Sequence, residues 1–123
     1  MSLCILAAGK TTVLVVSAFT LSWTHSVERT EWREDWLVEP AGLRLVEARV
    51  RGSGAGMEPA EGAVLEDGWY VYRPGRPPQA SLLLAASGAT GEGWRLCSGG
   101  ECLSLGARTG EAVEIAPCAG AGP

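Results

Sequence analysis

The sequence predicts an all-β protein, an antiparallel β-sandwich or barrel of about nine or ten short strands with no substantial helix. Three observations carry that expectation. Seventeen glycines and seven prolines in 123 residues interrupt the chain too often for long helices and suit strands joined by turns. Apolar and polar residues alternate over several stretches, most cleanly over 19–27, where Phe19, Leu21, Trp23, His25 and Val27 share one face and Thr20, Ser22, Thr24 and Ser26 the other. No convincing helical periodicity interrupts that pattern. The length suits one domain, expected over residues 1–118 with a frayed tail at 119–123.

Bulk composition narrows the class further. A chain that is 46% hydrophobic and 20% charged is globular, since a disordered one would carry fewer apolar residues. The net charge of −4 and singly scattered cations leave no basic stripe for a nucleic-acid backbone, so no nucleic-acid partner is expected.

The elements follow in order. "SLCILAA" and "TVLVV" read as two strands joined across Gly9 and Lys10. The competing reading is a poor signal peptide cleaved after Val16, Ser17 and Ala18, but Lys10 interrupts the apolar run and no early cation precedes it. Residues 1–18 are therefore expected to belong to the folded domain. After the strand at 19–27, the bulky residues Trp32, Trp36 and Val38 stand on even positions, so the chain must turn or bulge between Glu28 and Glu31 before a second strand.

"GLRLVEARVRG" changes parity again, with Leu43 and Leu45 odd but Val46, Ala48 and Val50 even, which predicts a bulge. "GSGAGMEPAEGA" is a loop by composition, "WYVY" a strand, "RPGRPP" a turn and "ASLLLAAS" a buried strand. "WRLCSGGECLSL" is a hairpin turning at Gly99 and Gly100, and "AVEIAP" is the last strand.

Four cysteines, an even number, favour disulfides and an oxidising compartment. With Gly99 and Gly100 as the two-residue turn, Cys97 and Cys102 form a non-hydrogen-bonded cross-strand pair, close enough for a disulfide. Cys4 with Cys118 is a second expectation, because both lie near chain ends.

The stretch "FTLSWTHSVERTEWREDW" concentrates the only histidine, three tryptophans and many acids. His25 shares a face with Trp23 and Val27, which suits a core histidine; its functional reading is an anchor for an anion, or a metal ligand with Glu28 or Glu34. Ser26 cannot use His25 as a base, because adjacent strand residues point to opposite faces. Ser53 lacks the G-x-S-x-G pattern and a following helix. Glu28, Glu31, Asp35 and Glu39 read as a charged edge, whereas Glu34 shares parity with Trp32 and Trp36. A carboxylate so placed needs a partner, with Arg49 or Arg51 expected. Gly52, Gly54 and Gly56 permit a backbone nest for an anion, though not a P-loop. The expected ligand-binding surface joins His25, Ser26, Glu28, Trp32, Glu34 and Arg49 to Ser53, Gly54, Gly56 and Met57. It assigns no catalytic residue, metal or cofactor.

"FTLSWTHSVERTEWREDW", "LVEARVRGSGAGMEP", "DGWYVY" and "WRLCSGGECLSL", in this order, resemble the bacterial family called domain of unknown function 1850. The resemblance implies a setting more than a chemistry: genes of that family often neighbour those of TAXI-type TRAP transporters, which take up small organic acids. The function expected is thus a small non-enzymatic accessory or ligand-binding module, periplasmic or otherwise extracytoplasmic. Its expected partners are a TRAP permease, its binding protein or a small organic anion. A metal-dependent or serine-type hydrolase and a purely structural partner of a permease are the alternatives.

Overall fold

The computed structural model describes residues 1–24, 30–51, 62–86, 93–107 and 110–118. Eleven antiparallel strands form two sheets, and no helix occurs among the described residues. In chain order they are β1 (Ser2–Ala7), β2 (Lys10–Val15), β3 (Ala18–Thr24), β4 (Glu31–Glu39), β5 (Gly42–Arg51), β6 (Val64–Glu66), β7 (Trp69–Tyr72), β8 (Leu82–Leu84), β9 (Trp94–Ser98), β10 (Glu101–Leu105) and β11 (Val113–Pro117). One sheet has the order β2-β1-β11-β8, the other β10-β9-β3-β4-β5-β7-β6.

The period-2 pattern explains the sandwich. Leu3 and Ile5 of β1 and Val113 and Ile115 of β11 are buried against Phe19 and Leu21 of β3, Trp36 and Val38 of β4, and Leu96 of β9. These apolar faces meet in one core, while the opposite faces turn to solvent. Residues 2–15 form β1 and β2, the two strands expected there, and Leu3 is fully buried.

The strand count exceeds the expected nine or ten because Val64–Glu66 pairs with Trp69–Tyr72 as a short hairpin. Asp67 and Gly68 are its two-residue turn, with the Asp-Gly sequence such turns favour. The expected bulge is present: Asp35 faces Glu47 and Trp36 faces Leu45, which leaves Val46 unpaired. Val46 is exposed, Leu45 before it and Ala48 after it are buried, and the parity change is thereby absorbed. At the entry to β5, Gly42 lies so close to the backbone of Gln79 that a Cβ there would collide with it. This contact lets Leu43 and Gln79 exchange both backbone hydrogen bonds, at 2.7 and 2.8 Å. The expected turn between Glu28 and Glu31, the loop "GSGAGMEPAEGA" and the 119–123 tail lie wholly or largely outside the described residues.

Both expected disulfides are present. Cys97 faces Cys102 across β9 and β10, one step beyond the Ser98–Glu101 pair at the Gly99–Gly100 turn. Gly99 and Gly100 take φ values of 60° and 87°, which two-residue hairpin turns of this kind require. Cys4 joins β1 to Cys118 just past β11, with Cα atoms 5.0 Å apart.

The Cys4–Cys118 bridge closes a loop of 114 residues and Cys97–Cys102 one of 5. In the chain-entropy account, replacing the first pair by alanine costs roughly 4–5 kcal/mol and replacing the second roughly 2. Urea unfolding of the two double variants checks the order; a larger loss from the short loop would show that strain or packing, not entropy, dominates. A chain beginning at Phe19 uncovers the core face that Leu3 and Ile5 cover, at about 25 cal/mol per Å² of apolar surface. It is expected to aggregate or to melt far below the full chain in a thermal scan.

Candidate functional site

Two regions bring chemically active side chains together, on opposite faces of the seven-stranded sheet. On the inner face, Trp23 faces Trp32, Leu21 faces Glu34 and Phe19 faces Trp36 across β3 and β4. Trp23 and Trp32 stack with centroids 5.9 Å apart, and Trp94 tilts onto Trp23 at 4.6 Å. The Trp94 indole N–H donates to the Ala85 carbonyl at 3.0 Å.

Glu34 does sit between Trp32 and Trp36 on this face, as its parity implies. Its partner, however, is not Arg49 or Arg51. The Trp36 indole N–H donates to Glu34 Oε1 at 3.1 Å, and Arg76 supplies the nearby positive charge. Arg49 and Arg51 occupy the odd positions of β5 after the bulge, and their neighbours Ala48 and Val50 take the inner face. Burial raises the Glu34 pKa from the ordinary 4.5, and the Trp36 hydrogen bond and Arg76 offset part of that rise.

The outer face is polar. Register places Ser104 of β10, Arg95 of β9, Ser22 of β3, Arg33 of β4 and Arg49 of β5 in one cross-strand row. A second row runs Cys102, Cys97, Thr20, Asp35, Glu47. Thr24, Glu31, Arg51 and Trp69 flank the first row on its other side.

The charges interlock. Glu47 accepts from Arg49 Nε at 2.8 Å and from Arg73 Nη2 at 2.6 Å; Asp35 accepts from Thr20 Oγ1 at 2.9 Å and lies 3.8 Å from Arg49. Glu31 serves Arg33 at 3.4 Å and Arg51 at 4.0 Å, while Trp69 lies under both guanidinium groups, at 5.5 and 4.5 Å. Over the β3, β9 and β10 part of this face, and reaching the start of β4, lies an open groove of about 1010 Å³. Hydroxyls of Thr20, Ser22, Thr24 and Ser104, the guanidinium groups of Arg33 and Arg95, the Glu31 carboxylate and the Cys97–Cys102 bridge line it.

Of the residues expected to bind a ligand, Trp32 and Glu34 share the inner face and Arg49 lies on the outer one. His25, Ser26, Glu28, Ser53, Gly54, Gly56 and Met57 lie outside the described residues. Among the described residues no three His, Cys, Asp or Glu side chains are grouped to hold a metal ion. The sequence reading missed Arg95 and Ser104. Thr20, Ser22 and Thr24 were visible as the polar face of a strand, but nothing local shows that β9 pairs with it.

Fold and site together define a disulfide-braced antiparallel β-sandwich domain with a polar groove on its larger sheet. The chain belongs to the family described as Domain of unknown function (DUF1850), whose model matches residues 19–105. No curated protein and no solved structure matches it. The matched span runs from β3 through β10 and so holds every residue lining the groove except Ala107.

Glu34 generates a prediction whose sign is opposite to that of a salt-bridged acid. A carboxyl whose folded pKa lies above its unfolded value keeps its proton more tightly when folded, so its contribution favours the native state below the unfolded value. That contribution is lost as pH rises through the window between the ordinary and the raised value. Glu34→Gln retains an oxygen for the Trp36 N–H and removes the buried charge. It is expected to raise stability at neutral pH and to flatten the pH dependence above the ordinary value, measured by urea unfolding of both proteins from about pH 4 to about pH 8. A variant less stable than the parent at neutral pH would show that attraction to Arg76 outweighs the cost of burial.

Proposed function

We propose that this protein is a small non-enzymatic ligand-binding or accessory module that works outside the cytoplasm and presents its outer-face groove to a small organic anion. The observation that carries this reading is the groove itself: hydroxyls and guanidinium groups, with the Glu31 carboxylate at one side, on a hydrogen-bonded sheet whose edge hairpin is cross-linked by Cys97–Cys102. Glu31, Asp35 and Glu47 on this face are each engaged by guanidinium or hydroxyl partners. Such groups shape a binding surface better than they abstract protons. Two disulfides are compatible with an oxidising, extracytoplasmic location.

Periplasmic residence in a bacterium, and service to TRAP-type uptake of organic acids through a permease or its binding protein, extend the same proposal. They rest on the family resemblance. A second reading, a structural partner of a membrane permease, draws on the open edge of β2, where Val13 and Val15 are 57% and 83% exposed.

A panel of small organic acids is expected to produce saturable amide shifts in the disulfide-intact protein, strongest in β3, β9 and β10. Ser22→Trp fills the groove floor on a solvent-facing strand position and is expected to abolish those shifts while changing stability by less than about 1 kcal/mol. The binding reading fails if no acid shifts the spectrum, or if Ser22→Trp leaves the shifts intact. Co-purification with a permease in the absence of any acid response would instead favour the structural partner.

A further inference from the structure

Every described arginine on the outer face has an acidic partner except one. Arg33 is held by Glu31, Arg44 by Glu39, Arg49 by Asp35 and Glu47, Arg51 by Glu31 and Arg73 by Glu47. Arg95 makes no salt bridge or side-chain hydrogen bond among the described residues, is exposed, and lines the groove. Its cross-strand neighbours are Ser22 on β3 and Ser104 on β10. Along its own strand, on the same face, come Cys97, tied into the disulfide, and Gly93, which adds no side chain. The guanidinium therefore stands among four uncharged nearest neighbours, two of them serines, with its five donors unspent.

Thr20 adds a second element. It sits diagonally from Arg95, since it faces Cys97 while Ser22 faces Arg95. Diagonal neighbours in an antiparallel pair lie about 7–8 Å apart, within reach of a long side chain and a ligand of a few atoms. The Thr20 hydroxyl donates its single proton to Asp35 Oδ1 at 2.9 Å. Toward a ligand it can then only accept. A carboxylate has no proton to give it; a hydroxyl group has.

We propose that Arg95 anchors the carboxylate of a small hydroxy acid through its planar fork, and that Thr20 accepts the hydrogen of the ligand's hydroxyl group. This inference rests on the ligand-binding reading above and names the ligand class. Ser22, lying between the two, donates to the bound carboxylate. Arg95 suits the first role because a guanidinium meets a carboxylate through two parallel hydrogen bonds, which an ammonium cannot reproduce. One carboxylate is the limit. Beyond Ser22 and Thr20 the next strand presents Glu31 and Asp35 on either side of Arg33, whose charge Glu31 already compensates. A second carboxylate of a longer acid would meet those two acids.

The test uses the full chain with both disulfides intact and follows amide shifts on titration with lactate, propionate, succinate and inorganic phosphate. Lactate is expected to bind at least about fivefold more tightly than propionate, which differs only in lacking the hydroxyl group, and more tightly than succinate or phosphate. Arg95→Gln is expected to weaken lactate and propionate alike, by about tenfold or more. Thr20→Val is expected to remove the preference for lactate while leaving propionate affinity unchanged. Thermal unfolding of each variant establishes that its fold is retained.

If lactate binds and Arg95→Gln leaves its affinity unchanged, the anchor lies elsewhere and this inference is overturned, while the ligand-binding reading stands. Equal affinity for lactate and propionate in the parent protein overturns the role of Thr20. Tighter binding of succinate or phosphate overturns the ligand class. Silence toward all four probes, together with silence toward the wider acid panel, overturns both the inference and the reading beneath it.

Discussion

The simultaneous pairing of β3 with β4 on one side and β9 on the other is the constraint on which the rest of the structure depends. Because alternate residues of a strand point to opposite faces, this one seven-residue element performs two tasks. Its odd positions insert Phe19 and Leu21 into the interior and pack Trp23, partly buried, against it; Phe19 stacks on Trp36 with nearly parallel planes, 8° apart. Its even positions present Thr20, Ser22 and Thr24 to the groove. A slip of one residue in either pairing would exchange the two sets, burying hydroxyls and exposing aromatic rings. The core thus specifies the register, and the register specifies which polar groups meet across strands.

The bulge at Val46 extends the same logic to β5. Without it, a strand that starts with Leu43 and Leu45 facing inward would continue with Glu47, Arg49 and Arg51 inward, burying three charges. One unpaired residue restores Ala48 and Val50 to the core and sends those charges outward. There they interlock with Asp35, Glu31 and Arg73. The salt-bridge lattice is therefore a consequence of where the extra residue falls. Its members neutralise one another in pairs, and for that reason the unpaired charge of Arg95 stands out against them.

Much of the fold was legible because its signals are local. Alternation located β3, the Gly-Gly turn set the register of β9 and β10, and that register placed Cys97 against Cys102. The parity break inside "GLRLVEARVRG" located the bulge. The short β6 escaped because three residues carry too little pattern to separate a strand from a loop. The site was less legible for a different reason. That Glu34 faces inward follows from local parity, but its proximity to Arg76 depends on a contact between distant segments. Arg49 and Arg51, the partners expected for Glu34, were excluded by the same parity that put Ala48 and Val50 inside. Arg95 beside Ser22 comes from a pairing between strands some seventy residues apart, and no periodicity within either strand announces it.

The family match and the sandwich divide the chain differently, and the difference separates two roles. Residues 19–105 contain all of the seven-stranded sheet but Ala18, with its hydroxyl row, its arginines and the hairpin disulfide. Three of the four strands in the other sheet, β1, β2 and β11, lie outside that span. Yet Leu3, Ile5, Val113 and Ile115 supply the apolar surface that the larger sheet must bury to stay out of water. The smaller sheet therefore acts as a cover, held across the chain by Cys4–Cys118. It contributes no side chain to the polar groove on the far face. A two-layer arrangement of this kind lets one layer carry stability while the outer surface of the other remains free for contact. Each layer carries one disulfide, and the hydrogen-bonded register of the larger sheet fixes the spacing of the polar groups on its outer surface. Preorganisation of that sort favours recognition of small solutes, whose few atoms cannot repay the cost of ordering a mobile site.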